Sequence, residues 1–348
     1  MFFLEIFINY IIPMIYSSLV SLVLVLLILF IFRIKDSNIR ILFFFLPLIK
    51  PFIIITDKID PSSQLDILAL RWPDPYNIIR IIRNFERGSL ILSDMNYFIL
   101  FLIIIGITTI LIIRWIILYL FYRDLAYEDK VLRKDAPDIY DIIDNFIKKI
   151  KIKAPDVSLT SKNYLSPFVI GIKKSTLVLS PNLLERLSAN EKETLIQHEL
   201  SHIKRKDNLI GWAALVLRDF LFFNPFAYIA YNLIKTEQEK DSDKLVVKYS
   251  GRPNKEVAAN ILNTILKIKS ISTSKPNPQP AQSFHDTPLS LFNQLRLKNR
   301  INSILKITTP EIYSRIFPKI LMCIFFLVLL VFQLMFVIKI NNFYIFLR

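Results

Sequence analysis

Long apolar stretches constrain this chain more than any other feature. The clearest runs from about Tyr97 to Tyr122 and contains a single charged residue, Arg114. Such a stretch can cross a bilayer as a helix, because a helix satisfies its backbone hydrogen bonds within itself. We therefore predict a membrane protein, in which Arg114 would extend its charged end to the inner interface if it lies near that interface.

Three further stretches are predicted to be spans, at about 11–32, 41–55 and 320–338. The second is short and carries Lys50 and two prolines, which favours a kinked, tilted or re-entrant helix. The chain opens without a basic segment, so we expect the first span to be retained rather than cleaved as a signal peptide.

Charge predicts the orientation. The chain is 53% hydrophobic with a formal charge of +15, as in a membrane protein with basic flanks. The first loop (33–40) and the segment 123–153 are basic and are expected in the cytoplasm, next to the lipid bilayer of a bacterial inner membrane. No basic cluster interleaved with aromatics suggests direct nucleic acid binding. The predicted domains are a membrane region (1–122), a peptidase domain (123–317) and a last span with a short tail (318–348).

The chemistry is expected at the stretch HELSH. His198 and His202 are two of only three histidines in the chain, and Glu199 directly follows the first. On a helix this spacing brings both imidazoles to one face, where they can share a zinc ion. Glu199 then lies beside the open coordination position, as the general base does in HExxH peptidases. Ser188 and Glu191 form a capping box that predicts where this helix begins.

A third zinc ligand is expected on a later helix, predicted at 232–249. Glu239 and Asp243 lie four residues apart on it, so Glu239 could bind the metal while Asp243 steadies a ligand histidine. Glu237 is the rival ligand, and a solvated acidic helix face is the alternative without a metal.

The remaining polar region shows the elements of an α+β domain. An amphipathic helix is predicted at 139–150, and short strands at 157–160, 168–172 and 176–179. The apolar stretch 208–223 is interrupted by Arg218 and Asp219, so we predict a buried or membrane-abutting helix, with a true span left open. The predicted fold is a mainly α membrane protein with about four transmembrane helices and a small β-sheet.

These motifs in this order resemble the BlaR/MecR family of integral-membrane metallopeptidases. The matching elements are SPFVIG (166–171), LSP (179–181), HELSHIKRKD (198–207), FNPF (223–226) and EKDSD (239–243). The resemblance implies a gluzincin zinc peptidase that transmits a signal by proteolysis, ending in loss of a cytoplasmic transcriptional repressor. It implies one Zn²⁺ per chain, held by His198, His202 and Glu239, with Glu199 as the base.

The resemblance also implies partners for the site. The strand containing Phe168, Val169 and Ile170 would be the edge along which a protein substrate pairs. His285 could donate to the oxyanion, but a surface histidine in a flexible loop is the interpretation that we favour. Arg300 is interpreted as one half of a structural ion pair. A homodimer or a separate sensor protein is a possible partner.

Two other functions stay open. The chain lacks a penicillin-binding domain after its last span, so direct β-lactam sensing is not expected; Ser272 to Lys275 spells SxxK by coincidence. An HtpX-like or CAAX-processing protease shares the HExxH and ExxxD motifs. A catalytically inactive membrane scaffold would require a missing ligand or base, and none is missing from the sequence.

Overall fold

The structure is a computed structural model that describes residues 11–59, 92–128, 130–160, 167–171, 174–273, 290–307 and 324–328. Within these ranges the chain is mostly helical, with one small mixed sheet. It divides into two compact units, each formed by several separate segments. The first contains residues 1–116, 214–234 and 315–348, and the second contains 117–213 and 235–314. The sequence also predicts a small amphipathic surface helix at 76–85, and these residues lie outside the described ranges.

The first unit begins with three helices: α1 (Ile12–Ile31), α2 (Ser37–Phe44) and α3 (Leu46–Ile59). Asp36 caps α2 by accepting the backbone N–H of Asn38 at 2.9 Å. Ser18 of α1 donates to the carbonyl of Pro47 in α3 at 2.8 Å. The predicted second span at 41–55 is thus divided between α2 and α3, which meet at Phe45. A short helical stretch at 324–328 covers part of the predicted last span.

The long helix α4 (Leu92–Glu128) contains the span that dominates the sequence. Two helical windows among the described residues are long and apolar enough to cross a membrane, Met14–Ile31 and Leu102–Asp124. They coincide with the predicted first and third spans. The other two predicted spans, and the domain boundaries at 122 and 317, stay predictions.

The second unit is built on a four-stranded sheet. Its strands are β1 (Lys130–Val131), β2 (Asp156–Leu159), β3 (Phe168–Ile170) and β4 (Thr176–Leu179), in the spatial order β1-β2-β4-β3. β2 and β4 run parallel, and β1 and β3 pair antiparallel on the outside. β3 therefore forms one edge of the described sheet. Gly171 ends it with φ +96°, where a Cβ would lie 2.0 Å from the carbonyl oxygen of Lys174.

The helices that follow β1 along the chain are α5 (Pro137–Ile150), α6 (Pro181–Leu184), α7 (Ala189–Arg205), α8 (Asp207–Phe220), α9 (Pro225–Ser250), α10 (Asn254–Thr273) and α11 (Ser290–Leu305). The apolar sides of α5 and α7 meet the sheet in one buried cluster that includes Ile143, Phe146, Leu177, Ile196 and Leu200. This packing fixes α7, the helix of the HELSH motif, against the sheet.

Candidate metal centre

Local interactions set both ends of the helix α7. Ser188 accepts the backbone N–H of Glu191, and Glu191 accepts the backbone N–H of Ser188, so the predicted capping box is confirmed. The helix stops at Lys206, whose left-handed backbone (φ 56°) closes the last turn. A new helix starts at once with Asp207, and this sharp turn brings Asp207 back toward His202.

Three side chains offer ligand atoms to a common point. His198, His202 and Glu239 each contribute one atom to a group whose members all lie within 4.8 Å of one another. The Nε2 atoms of the two histidines are 3.1 Å apart. Oxygens of Glu239 lie 3.4 Å from the Nε2 of His198 and 3.7 Å from that of His202.

These separations fit a zinc ion. Tetrahedral zinc with bonds of about 2.0–2.1 Å needs ligand atoms roughly 3.3–3.4 Å apart. The observed distances of 3.1, 3.4 and 3.7 Å bracket that value. Two imidazoles and one carboxylate are also a donor set that zinc prefers in sites with an open position. The rival ligand Glu237 instead accepts from Lys240 at 3.0 Å and is not part of the group.

Each histidine ring is held from behind by an aspartate. The Nδ1 of His198 lies 3.0 Å from a carboxylate oxygen of Asp243, the residue that the sequence proposes as the support of a ligand histidine. The Nδ1 of His202 lies 2.8 Å from a carboxylate oxygen of Asp207. Both aspartates are almost fully buried. A carboxylate that accepts from Nδ1 leaves Nε2 free for a metal.

Sequence reasoning missed Asp207. The signal was present, since an aspartate closes the HELSHIKRKD run five residues after His202, but only the turn at Lys206 shows where its side chain goes. Arg205 holds Asp207 through its Nε at 3.1 Å, and Arg205 also pairs with Asp241 of α9. The hydroxyl of Ser242 lies 3.1 Å from the Nδ1 of His202.

Arg300 of α11 does more than the structural ion pair that the sequence suggested. Its guanidinium forms two bonds with Asp243, at 2.6 and 2.8 Å, and one of 2.8 Å with Glu239. It also reaches the His198 ring, with Nη2 3.1 Å from Nε2. Arg300 therefore balances the negative charge that Asp243 and Glu239 bring to the site.

The electrostatics of the site follow from burial and from this arginine. Burial alone would raise the pKa of Glu239, but the Arg300 guanidinium and the His198 ring hold it well below its usual range. The same opposing effects leave the pKa of Asp243 lowered. The pKa of Glu199 is raised, because burial disfavours its charged form more than the neighbouring histidines favour it.

Of the remaining predicted residues, three lie in the sheet and one lies outside the described residues. Phe168, Val169 and Ile170 form the edge strand β3, in which the Val169 carbonyl accepts from the Asn208 side chain at 2.9 Å. His285 lies outside the described residues, as do Ser166 and most of the Ser/Pro-rich stretch 270–289. They stay predictions.

Comparison with known proteins decides the family. Residues 78–293 match the protein family described as BlaR1 peptidase M56, which is more than half of the chain. The chain belongs to this family. The matched range contains the HELSH helix and the helix that carries Glu239.

Individual relatives of this M56 peptidase agree. The methicillin resistance mecR1 protein of Staphylococcus aureus strain Mu50 is 28% identical over 155 residues, covering 42% of this chain and 26% of the relative. The regulatory protein BlaR1 of Bacillus licheniformis is 28% identical over 146 residues, covering 42% and 23%. A protease HtpX homolog of Gemmatimonas aurantiaca is 25% identical over 198 residues, covering 47% and 69%. The match thus spans about a quarter of the length of the mecR1 and BlaR1 relatives.

Proposed function

We propose that this M56 family member is an integral-membrane zinc metalloendopeptidase that cuts a protein substrate in a signalling process. The observation that carries the proposal is the meeting of His198, His202 and Glu239 within 4.8 Å, at distances that suit zinc. The proposed fold around them is the gluzincin α+β domain, attached to about four transmembrane helices. The proposed location is the bacterial inner membrane, with the peptidase domain on the cytoplasmic side.

The proposed chemistry assigns one task to each side chain. His198, His202 and Glu239 would hold one Zn²⁺ per chain, which supplies Lewis acidity and makes water a better nucleophile near neutral pH. Glu199 accepts a proton from the attacking water and returns it to the amine of the broken peptide bond. Its raised pKa suits the first half of that transfer, because a carboxylate with a higher pKa is a stronger base.

Substrate is proposed to bind along β3. This strand lies at the edge of the sheet and packs beside α7. An extended segment of the substrate could therefore pair with its outer side. The carbonyl of Val169 is already bonded to Asn208, at 2.9 Å. An extended substrate that pairs with Val169 would therefore compete with the Asn208 side chain for that oxygen.

The signalling role rests on the relatives. Two are named as a regulatory protein and a methicillin resistance protein, which supports cleavage of a repressor or of the chain itself. The alternative of a quality-control or maturation protease is supported by the match to HtpX homologs, one of which is covered over 69% of its length. A partner that senses the signal, or a second copy of the chain, is part of the proposal.

Cleavage of casein by detergent-purified protein tests the enzymatic proposal. We expect wild-type protein to cut casein, to stop after treatment with a zinc chelator, and to recover when zinc is restored. The matched variant is Glu199→Gln, which keeps the size of the side chain and removes the base. It should retain zinc while cleavage falls by about two to four orders of magnitude. Equal cleavage by the variant would refute the role of Glu199, and inactivity of zinc-loaded wild type towards casein and towards its own chain would favour the scaffold.

A further inference from the structure

The turn between α8 and α9 belongs to the first unit. Residues 214–234, which form the end of α8, the turn and the start of α9, cluster with the helices of residues 1–116. That unit contains the window Met14–Ile31 and residues 102–116 of the window Leu102–Asp124, both of which are long and apolar enough to cross a membrane. The segment 214–234 is called the hairpin tip below.

One side of the hairpin tip contacts α4 at mid-span. Asp219 accepts from the indole N–H of Trp115 at 3.0 Å and pairs with Arg114 at 3.0 Å. Arg114 lies twelve residues after the start of the window Leu102–Asp124 and ten before its end. At 1.5 Å per residue these distances are about 18 and 15 Å, so Asp219 lies level with the middle of the span.

The turn itself contacts α1. Asn224 donates to the hydroxyl of Ser18 at 2.8 Å and to the carbonyl of Met14 at 3.4 Å, and it is fully buried there. Both partners lie inside the window Met14–Ile31. The ring of Phe220 packs against Trp115, with centroids 5.4 Å apart. The hairpin tip thus touches both candidate spans through specific contacts.

The hairpin tip buries polar side chains and exposes apolar ones, which is the opposite of a loop in water. Its polar residues Asp219 and Asn224 are buried, at 2% and 0% exposed. Large apolar side chains face outward instead, with Phe222 52% and Ile229 42% exposed. A turn in water normally exposes its polar groups, whereas a segment in lipid pairs them inside and exposes apolar ones.

We propose that α8 and α9 form a re-entrant hairpin whose tip enters the hydrocarbon region of the bilayer, where lipid acyl chains cover Phe222 and Ile229. The Arg114–Asp219 pair and the Asn224–Ser18 bond then hold the tip between the spans, since unpaired polar groups are costly in lipid. The hairpin enters and leaves on one side, so it adds no crossing to the topology. This inference rests on the membrane assignment of α1 and α4 and is independent of the peptidase chemistry.

Fluorescence quenching by spin-labelled lipids tests the proposal. The native Cys323 is replaced by alanine, and a single cysteine is introduced as Phe222→Cys, or as Ile229→Cys if the first variant does not fold. The full chain is labelled with an environment-sensitive fluorophore and reconstituted in vesicles of phosphatidylcholine and phosphatidylglycerol. The lipids carry the spin label near the headgroup or deep in the acyl chain.

Two matched controls set the scale. Ile112→Cys places the label on an exposed position of α4 near mid-span, and Glu185→Cys places it on an exposed position of the second unit. We expect the label at position 222 to emit at short wavelength and to be quenched as strongly as the label at position 112. The deep spin label should quench it more than the shallow one does. A label at 222 that behaves as at 185, or that the shallow spin label quenches more, would overturn the hairpin. If the label at position 112 is not quenched either, both the membrane assignment of α4 and the proposed hairpin are refuted.

Discussion

Asp207 is the residue whose contact with His202 should influence the zinc affinity of the proposed site. It touches the ring nitrogen of His202 that faces away from the ligand group, at 2.8 Å. A neutral partner there makes the imidazole a poorer ligand and a less firmly oriented one. We expect Asp207→Asn to weaken zinc binding by about ten- to a hundredfold, the usual effect of losing such a partner.

Zinc affinity, measured by competition with a chromophoric chelator, checks this prediction. The matched control is Asp156→Asn, which removes a carboxylate from the partly exposed pair with Lys130 at 2.8 Å. It should bind zinc as wild type does. Wild-type affinity in Asp207→Asn would show that the contact with His202 is incidental.

Arg300 makes a second prediction at the residue scale. Its removal in the metal-free protein would leave Asp243 and Glu239 without the cation that holds their pKa values down. Breaking a buried ion pair from one side costs about 3–5 kcal/mol of folding free energy. We therefore expect Arg300→Ala to lower the unfolding temperature of the metal-free protein markedly, and Arg300→Lys to lower it less, since lysine keeps the charge but not the two-pronged contact.

Thermal unfolding in detergent, followed by circular dichroism, gives the measurement. Arg133→Ala is the control, because it removes an arginine from a surface pair with Asp144 whose arginine is 60% exposed. It should leave the transition almost unchanged. If Arg300→Ala and Arg133→Ala both lower the unfolding temperature only slightly, Arg300 does not balance the charge of Asp243 and Glu239.

At the scale of elements, the start of α7 should make stability depend on pH. Burial raises the pKa of Glu191, but the Lys267 ammonium at 2.6 Å and the Ser188 N–H lower it more, and the net shift is downward. A carboxyl whose folded pKa is depressed stabilises the fold above its unfolded pKa of about 4.3, and this contribution is lost as the pH falls through the folded value. Glu191→Gln keeps the capping bond without the charge.

We expect wild type to be more stable than Glu191→Gln at pH 7 and the difference to shrink as the pH falls below about 4.3. Unfolding temperatures of both proteins across that range measure it. A difference that stays constant with pH would assign the effect to packing rather than to the carboxylate.

The elements that sequence predicted best are those whose limits are set locally. The capping box at Ser188 places α7 to within a residue, and the short apolar run at 177–179 finds β4. Long-range contacts escaped prediction. Asp207 reaches His202 only because Lys206 turns the chain, and α9 begins at Pro225 rather than near Asn232 because its first turns pack in the first unit.

At the scale of the whole molecule, the family match assigns the chain to the M56 peptidases, and two helical windows are long and apolar enough to cross a membrane. The sequence predicted the family because its motifs lie in local runs such as HELSHIKRKD. It left 208–223 open, since hydropathy alone does not separate a span from a buried helix. Contacts of Asp219 and Asn224 with α4 and α1 supply the information that hydropathy lacks.

Zinc content of the detergent-purified protein tests the central claim most directly, with wild type, Glu239→Gln and the matched variant Glu237→Gln measured by elemental analysis. We expect one zinc per chain in wild type and in Glu237→Gln, and a loss of zinc together with casein cleavage in Glu239→Gln. Wild type without zinc under zinc-replete conditions would contradict the metallopeptidase account. Loss of zinc in Glu237→Gln but not in Glu239→Gln would contradict the ligand assignment.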